Sequence, residues 1–401
     1  MLKKKRIIWS AVISIGLLVL SYWVGNLPFS LTGEAVLLKG LNALQLRDAK
    51  NEIADSVLFV NVSYDRVMVP LIDSAKTGNG ASIPIPKGRI PITDRHKLLK
   101  LLQYLKEKDD YAFILLDVFF GDEETEFDDE LFSTIMSMSR IVIPYREGEK
   151  FADESLKHKA FLSKYSYSIW ETGFTKYQYY RKTKKGSWEK TLPAAMYEDS
   201  SGKKIKKTGP ICWEDGHFAK RSNFLSIDVL PDKWYNLGMD LLDDTLGVFV
   251  GDERLYDNPN LTKGKYIVIG RIDNDDMHES VRGELPGSVI VFNAFYSMKR
   301  GQFQIKWWFV MLLFAIYFSM TYCLVFSSSG KEVITNSSWY KNRKMGWRIV
   351  IFLLLSWLGY ASVLGMFSLM MYLWLGKVFE FFIVSNVFSA MSLIVKFNKQ
   401  G

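Results

Sequence analysis

Cysteine and histidine are scarce in this sequence, which has two cysteines and four histidines in 401 residues. Cys212 is the only cysteine between residues 26 and 305, and Cys323 lies in an apolar run, so no disulfide can form within that long segment. The segment must be held together by its own hydrophobic core, which a chain of this length can supply. His96 and His217 stand alone in the sequence, and we interpret both as structural.

Motifs of common enzymes are also missing. The chain contains no Gly-x-Ser-x-Gly, no glycine-rich phosphate loop ending in Gly-Lys-Ser or Gly-Lys-Thr, and no His-Glu-x-x-His. These are the usual signals for serine hydrolases, nucleotide-binding enzymes and zinc proteases. We therefore predict no catalytic residue and no cofactor.

Long apolar runs are present at both ends of the chain. Residues 7–25 follow a basic cluster at 3–6 and are long enough to cross a bilayer as a helix. Because no small-x-small cleavage site follows, we predict an uncleaved anchor. Three more runs cover 307–326, 348–370 and 378–395, and the last two are separated only by a short turn, which predicts a helical hairpin. The sequence thus predicts four transmembrane helices, one N-terminal and three C-terminal.

Lysine and arginine are concentrated beside these runs. Residues 26–305 contain 38 Lys and Arg against 41 Asp and Glu, a net charge of −3, whereas the rest of the chain has a net charge of +11. Basic residues that flank membrane spans tend to stay in the cytoplasm. We therefore predict that both termini are cytoplasmic and that the long segment lies outside the plasma (inner) membrane, in the periplasm if the cell has an outer membrane. The excess charge is a topology signal, and we expect no nucleic-acid partner.

These patterns divide the chain into three units. We predict a cytoplasmic tip and anchor at 1–27, an extracytoplasmic domain at 28–305, and three membrane helices with a short loop and tail at 306–401. Glu380 lies within four residues of Lys377, beside the predicted hairpin turn. We expect these two residues to pair at the membrane interface, in preference to a proton site inside the membrane.

Short apolar runs in the extracytoplasmic segment predict a buried sheet. Their β-branched and aromatic residues are typical of strands that are buried on both faces. Such runs lie at 57–62, 112–120, 140–145 and 266–270. Leucines after Thr93 or Asp94 repeat at helical spacing, and a second helix is predicted at about 127–138. The alternation predicts an α/β domain with a mainly parallel sheet covered by helices.

Acidic residues near the last of these strands are candidates for a binding site. Asp273, Asp275, His278 and Glu279 are potential ligands of a divalent ion, but their spacing matches no calcium loop, so we favour a solvated loop. They follow a strand at the edge where open α/β sheets place ligands. The Pro-Gly after them predicts a helix at about 286–300 that leads directly into the membrane.

Asp117 is a stronger candidate than the acidic loop. A carboxylate at the end of a buried strand needs either a partner or a ligand. Arg95, at the start of the preceding helix, is the expected partner, and the sequence leaves open whether the pair is structural or contacts a ligand.

The order of these elements resembles CHASE-2, the second type of cyclase and histidine-kinase associated sensory extracellular domain. "ITDRHKLLKLLQYL" followed by "AFILLDVFF" is similar to the family's arginine-containing helix start and its aspartate-ended strand. "GFTKYQYYRKTKKGSWEKTLPAAMYE" resembles its hairpin and following helix. "LTKGKYIVIGR" and "HESVRGELPGSVIVFNAFYSMKRGQ" resemble its glycine-ended strand and Pro-Gly helix, including Asn293. The resemblance covers roughly 34–301 and the spans. The chain departs from the family in the acidic loop, in 240–262, and in leaving only "KFNKQG" after the last span, where an output module commonly follows.

The resemblance implies a bacterial extracytoplasmic sensor. The candidate ligand-binding residues are Arg95, Asp117, Arg271, Asp273, His278 and Asn293. The expected partners are a small ligand or an extracytoplasmic protein, a separate cytoplasmic or membrane output partner, and the lipid bilayer, and self-association stays open. The alternative is a membrane scaffold that assembles a complex, and a metal-dependent extracytoplasmic hydrolase is the third hypothesis.

Overall fold

Helices and strands were assigned in a computed structural model of the protein. The residues that it describes are 2–28, 30, 32–43, 56–76, 82–121, 125–147, 153–163, 173–209, 211–230, 248–249, 260–272, 276–325, 338–375 and 377–397. Their α-helices are α1 (Leu2–Gly25), α2 (Thr32–Ala43), α3 (Arg95–Lys108), α4 (Asp128–Ser137), α5 (Leu192–Ser201), α6 (Gly287–Lys299), α7 (Trp307–Met320), α8 (Ser338–Lys341), α9 (Met345–Leu375) and α10 (Phe382–Phe397). A 3₁₀ helix covers Glu154–His158, and a π-helical turn, Thr321–Val325, continues α7.

The strands belong to one large sheet and several small ones. They are β1 (Val57–Asn61), β2 (Arg66–Lys76), β3 (Ser82–Thr93), β4 (Phe113–Asp117), β5 (Ile141–Tyr145), β6 (Ala160–Leu162), β7 (Lys176–Gln178), β8 (Tyr180–Lys182), β9 (Trp188–Lys190), β10 (Ile205–Thr208), β11 (Ile211–Glu214), β12 (His217–Ala219), β13 (Ser222–Phe224), β14 (Val248–Phe249), β15 (Tyr266–Gly270), β16 (Met277–Ser280), β17 (Gly283–Pro286) and β18 (Gln304–Ile305).

A six-stranded parallel sheet is the centre of the α/β domain. Its order is β14-β1-β15-β4-β5-β6, and every pair in it is parallel. The late strand β15 lies between β1 and β4, with Val268 opposite both Phe59 and Leu115. The predicted α/β class and its parallel sheet are thus confirmed, as are the strands expected near 57–62, 112–120, 140–145 and 266–270.

Each face of this sheet has its own hydrophobic core. On one face, the leucines of α3 pack with α4 against inward side chains such as Ile267 and Ile269. On the other face, α5 and α6 pack against side chains that include Val268 and Leu115. A fully buried aliphatic side chain stabilises the fold by about 1.5–3 kcal/mol, so these two layers hold the domain together without a disulfide.

Smaller hairpins surround the central sheet. β2 and β3 form a long antiparallel hairpin that pairs Arg66 with Thr93 at its base and has an irregularity between Leu71 and Ile72. The sequence did not predict this hairpin. β8 and β9 form a hairpin within the segment that resembles the family's hairpin, and the φ of 87° at Gly186 suits glycine in its turn.

Two helices are long and apolar enough to cross a membrane. They are Lys4–Gly25 within α1 and Met345–Leu375, and only 22% and 17% of their most apolar windows are buried inside the protein. Core helices of soluble proteins are mostly buried, so these exposed apolar side chains are typical of a lipid-facing surface. α7 and α10 are also apolar but shorter. All four helices contribute to one cluster that includes Leu17, Tyr317 and Phe388.

A buried ion pair joins the α/β domain to these helices. Lys176, on β7, binds Glu380 in the turn between α9 and α10, and their side chains are only 1% and 3% exposed. The Lys176 ammonium also donates to the carbonyl oxygens of Gly25, at 3.2 Å, and Leu27, at 3.1 Å. The predicted pairing of Glu380 with Lys377 is therefore wrong, because Lys176 of β7 binds the Glu380 carboxylate. Lys377 donates to the carbonyl of Gln304 at 2.8 Å instead.

We expect Lys176→Met to destabilise the protein strongly. Removal of one partner leaves the Glu380 charge buried without its cation, which typically costs about 3–5 kcal/mol. The free energy of unfolding of the full chain in detergent micelles, measured with denaturant, would show the loss. The double variant Lys176→Met/Glu380→Gln should recover part of it.

Lys157→Met is the matched control for this experiment. Lys157 forms an exposed ion pair with Glu154 within the 3₁₀ helix, and such pairs contribute about 0–1 kcal/mol. Equal losses in Lys176→Met and Lys157→Met would show that the buried pair does not stabilise the junction.

Candidate functional site

The carboxyl ends of three neighbouring strands meet at one edge of the central sheet. Asn61 of β1 lies opposite Gly270 of β15, and Gly270 lies opposite Asp117 of β4. The Asn61 side chain accepts hydrogen bonds from the backbone of Ser63, at 3.0 Å, and Ile272, at 3.2 Å, which fixes both loops that leave the sheet here. Open α/β sheets bind ligands at this edge, so we take it as the candidate site.

Asp117 is electrostatically unusual at this edge. Burial, followed by the negative charge of Asp276, raises the pKa of Asp117 to about 7, while Arg146 and His278 act in the opposite direction. A carboxyl group with this pKa is partly protonated near neutral pH. It can therefore donate or accept a hydrogen bond, as a group that meets a polar ligand must.

The first turn of α6 packs directly against Gly270, which lies beside Asp117 in the sheet. A Cβ on Gly270 would lie 2.9 Å from the Cβ of Ser288 and 3.3 Å from that of Asp117, so this approach of helix to strand requires glycine. A Cβ on Gly287 would lie 2.7 Å from a carboxylate oxygen of Asp276. The Ser288 hydroxyl is buried and has no hydrogen-bond partner among the described residues.

His278 completes the group. Its Nε2 lies 3.3 Å from an Asp276 carboxylate oxygen, and its ring meets the ring of Phe174 edge-on at 5.3 Å between centres. We call Asp117, Asp276, His278 and Ser288 the sheet-edge cluster. The structure therefore brings two predicted residues, Asp117 and His278, close together. Asp276 and Ser288 were not predicted from the sequence as site residues, although Asp276 lies in the acidic loop and Ser288 directly follows the Pro-Gly.

Arg95 belongs to a different place. Its guanidinium binds Asp128 at the start of α4, and its central carbon lies 5.6 Å from the centre of the Phe120 ring. Asp128 also accepts from the backbone N–H of Thr125 at 3.0 Å. The expected partnership of Arg95 with Asp117 is replaced by this one, because α3 and α4 pack side by side and bring their first turns together. Arg95 also lines a groove of about 410 Å³ with residues such as Val67.

Asn293 is buried in the middle of α6, and its amide is saturated. The oxygen accepts from the backbone N–H groups of Asp228 and Val229, both at 2.8 Å. The amide nitrogen donates to the carbonyls of Val229, at 2.7 Å, and Val289, at 2.9 Å. All four hydrogen-bonding positions of an asparagine are then used, so Asn293 holds the 228–229 backbone on the helix and not a ligand.

The other predicted residues divide into two groups. Arg271 directly follows β15 at the sheet edge, whereas Glu279 binds Lys39 of α2. Asp273 and Asp275 lie outside the described residues. Within the part of the chain that the structure describes, no three His, Cys, Asp or Glu side chains are grouped to hold a metal ion. The described members of the predicted metal set, His278 and Glu279, instead have Asp276 and Lys39 as partners.

We expect Asp117→Asn to remove a pH-dependent loss of stability. The folded-state pKa is raised, so the unfolded chain loses its proton first, and stability falls as the pH rises from about 4 to about 7. The variant should exceed the natural protein by about 1–3 kcal/mol at pH 8, allowing for the partial exposure of Asp117, and match it at pH 4. Unfolding free energies at several pH values test this. Asp129→Asn, at an exposed position on α4, is the control, and an unchanged pH profile in Asp117→Asn would contradict the assignment.

No protein-family model, curated protein or solved structure matches this chain. The resemblance to CHASE-2 therefore rests on the segments quoted above and on the order of the elements.

Proposed function

We propose that the protein is a non-enzymatic membrane sensor of the CHASE-2 type. In this proposal the α/β domain at 28–305 lies outside the plasma membrane, α1, α7, α9 and α10 cross it, and both termini are cytoplasmic. A small polar ligand or an extracytoplasmic protein binds at the sheet-edge cluster. A conformational change then passes through the membrane helices to a separate partner.

The observation that carries the proposal is the course of α6. This helix begins in the sheet-edge cluster at Gly287 and Ser288, ends at Lys299, and is followed within a few residues by α7 at Trp307. Its 13 residues span about 20 Å at 1.5 Å per residue. One helix thus runs from the candidate binding site to residues 300–306, which lead into an apolar helix of the bundle, so a shift of α6 would be passed to the start of α7.

A second path supports the same coupling. Glu279 neighbours His278 on β16 and binds Lys39 of α2. On the same helix, Glu34 accepts the backbone N–H of Phe382, the first residue of α10, at 2.9 Å. A ligand would move these elements only by binding two conformations unequally, which is the condition for any sensor.

The cytoplasmic side offers a surface for the output partner. The predicted loop between α7 and α9 is basic, and α8 within it carries Trp339, whose side chain is 53% exposed. A photo-crosslinking residue in place of Trp339 should capture a cytoplasmic kinase, cyclase, protease or regulator in native membranes. Capture of only membrane proteins, in fixed stoichiometry and without any ligand response, would support the scaffold hypothesis instead.

We expect a true ligand to act through the cluster. Compounds screened against the full chain in nanodiscs should include one that raises its Tm, and Asp117→Asn or His278→Ala should weaken that effect by at least about tenfold in concentration. His217→Ala, an exposed histidine on β12, should leave it unchanged. The same compound should alter hydrogen exchange at 377–381. A hit that is insensitive to both cluster variants would refute this location of the site.

The membrane arrangement has its own test. In a chain with Cys212→Ala and Cys323→Ser, a cysteine placed by Lys185→Cys should react with a membrane-impermeant maleimide in cells whose outer face is accessible. A cysteine placed by Trp339→Cys should react only after the membrane is permeabilised. Labelling of both positions from the outside would contradict the four-span topology.

A further inference from the structure

Three lysines converge where the α/β domain meets the outer end of α7. Lys220 directly follows β12, Lys306 directly precedes α7, and Lys377 lies in the turn between α9 and α10. β12 pairs with β18, which ends at Ile305, and the Lys220 backbone N–H donates to the carbonyl of Phe303 at 2.8 Å. The Lys377 ammonium donates to the carbonyl of Gln304 at 2.8 Å. Three separate parts of the chain thus place a lysine around residues 303–306.

The positive charge of this group is not balanced. Within the described part of the chain, none of the three ammonium groups forms an ion pair. Burial lowers the pKa of Lys220 to about 8 although the charge of Glu380 acts in the opposite direction, and this carboxylate is already bound by Lys176. Glu214 is also buried, and its carboxylate accepts hydrogen bonds from the Gln304 amide and the Tyr197 hydroxyl. Burial and the neighbouring charges of Lys220 and Lys306 lower the pKa of Lys377 to about 8. An anion that joined the group would relieve this repulsion.

The position of the group identifies the anion. Trp307 and Trp308 follow Lys306 at once and are 62% and 47% exposed, as tryptophans are in the belt at a membrane interface. Phe218 contacts Trp307 edge-on at 5.7 Å between ring centres and extends this belt onto the domain. Side chains just outside such a belt lie at the level of the lipid headgroups, whose phosphates are the local anions. Lysine clusters are unusual on the outer side of a membrane, where the charge rule disfavours them.

We propose that Lys220, Lys306 and Lys377 form a binding site for the phosphate group of an anionic phospholipid in the outer leaflet. The bound headgroup bridges the α/β domain, the start of α7 and the α9–α10 turn. The lysine ammonium groups act as point charges on the phosphate oxygens, and the two tryptophans contact the upper acyl chains. This site rests on the proposed membrane arrangement and adds lipid composition to what the protein responds to.

The test uses the full chain, delipidated and titrated with dioleoyl-phosphatidylglycerol or with dioleoyl-phosphatidylcholine, and native mass spectrometry as the readout. The natural protein should prefer the anionic lipid. Lys220→Gln/Lys306→Gln/Lys377→Gln should lose about 100-fold in apparent affinity for it, since each lysine near an anionic surface contributes about fivefold. The control, Lys182→Gln/Lys184→Gln/Lys185→Gln, removes three exposed charges from the β8–β9 hairpin and should bind normally.

Two further measurements make the result decisive. Lys306 is exposed, so Lys306→Gln alone keeps the fold and should still lose about fivefold in affinity. Inorganic phosphate is titrated in parallel by thermal shift. Equal binding of the two lipids, or full binding by the triple variant, would overturn the proposal. Phosphate binding that depends on the three lysines, without a lipid preference, would assign the site to a soluble anion and overturn the lipid assignment.

The outcome also separates this proposal from the membrane arrangement. A chain that labels from the outside at position 339 has the wrong topology, and both proposals fail. A chain with the expected labelling but no preference for the anionic lipid refutes the lipid site alone.

Discussion

The buried pair of Lys176 and Glu380 joins the α/β domain to the apolar helices. Removal of two charges from water costs several kcal/mol per ion and is repaid only where geometry and additional hydrogen bonds are favourable. Here the ammonium has two backbone carbonyls from the end of α1 as further acceptors. The pair and these two hydrogen bonds thus join three separate parts of the chain, namely β7, residues 25–27 and the α9–α10 turn.

The same junction contains a second buried acid with a different role. Burial, together with the charge of Glu380, raises the pKa of Glu34 to about 7, although the backbone N–H of Phe382 favours the charged form. Glu380 is thus bound to a lysine, while its neighbour Glu34 has no lysine partner among the described residues and is close to half-protonated at neutral pH. Glu34 thus contacts the first residue of α10 through a carboxyl group whose charge changes near neutral pH.

Local patterns in the sequence predicted four of the six strands of the central sheet and the helices α3, α4 and α6 that pack on it. The β-branched runs, the leucine spacing of α3, its cap at Asp94 and the turn at Gly186 each depend on a few neighbouring residues. The sequence did not predict the β2–β3 hairpin, because prolines such as Pro70 and Pro84 weaken a strand signal.

The sequence also did not predict ion pairs between residues that lie far apart along the chain. Asp128 is the partner of Arg95, and Lys176 is the partner of Glu380. Many other acids and lysines have the right charge, and only the packing of the helices and strands decides which of them pair. The sheet-edge cluster contains one residue that the sequence indicated and one that it did not. Asp117 stood out as an acid that ends an apolar strand, whereas Ser288 has no distinguishing pattern of its own.

The central position of β15 also governs how the protein is made. β15 lies between β1 and β4, so the central sheet is incomplete until β15 has been synthesised. β15 follows β1 by roughly 200 residues, which takes about 10–40 s at typical rates of synthesis. In the proposed topology α1 has entered the membrane by then, and the unfinished domain lies outside the membrane with its apolar strands exposed. Exposed apolar strands make such an unfinished domain prone to aggregation and proteolysis, and this exposure ends when β15 completes the sheet.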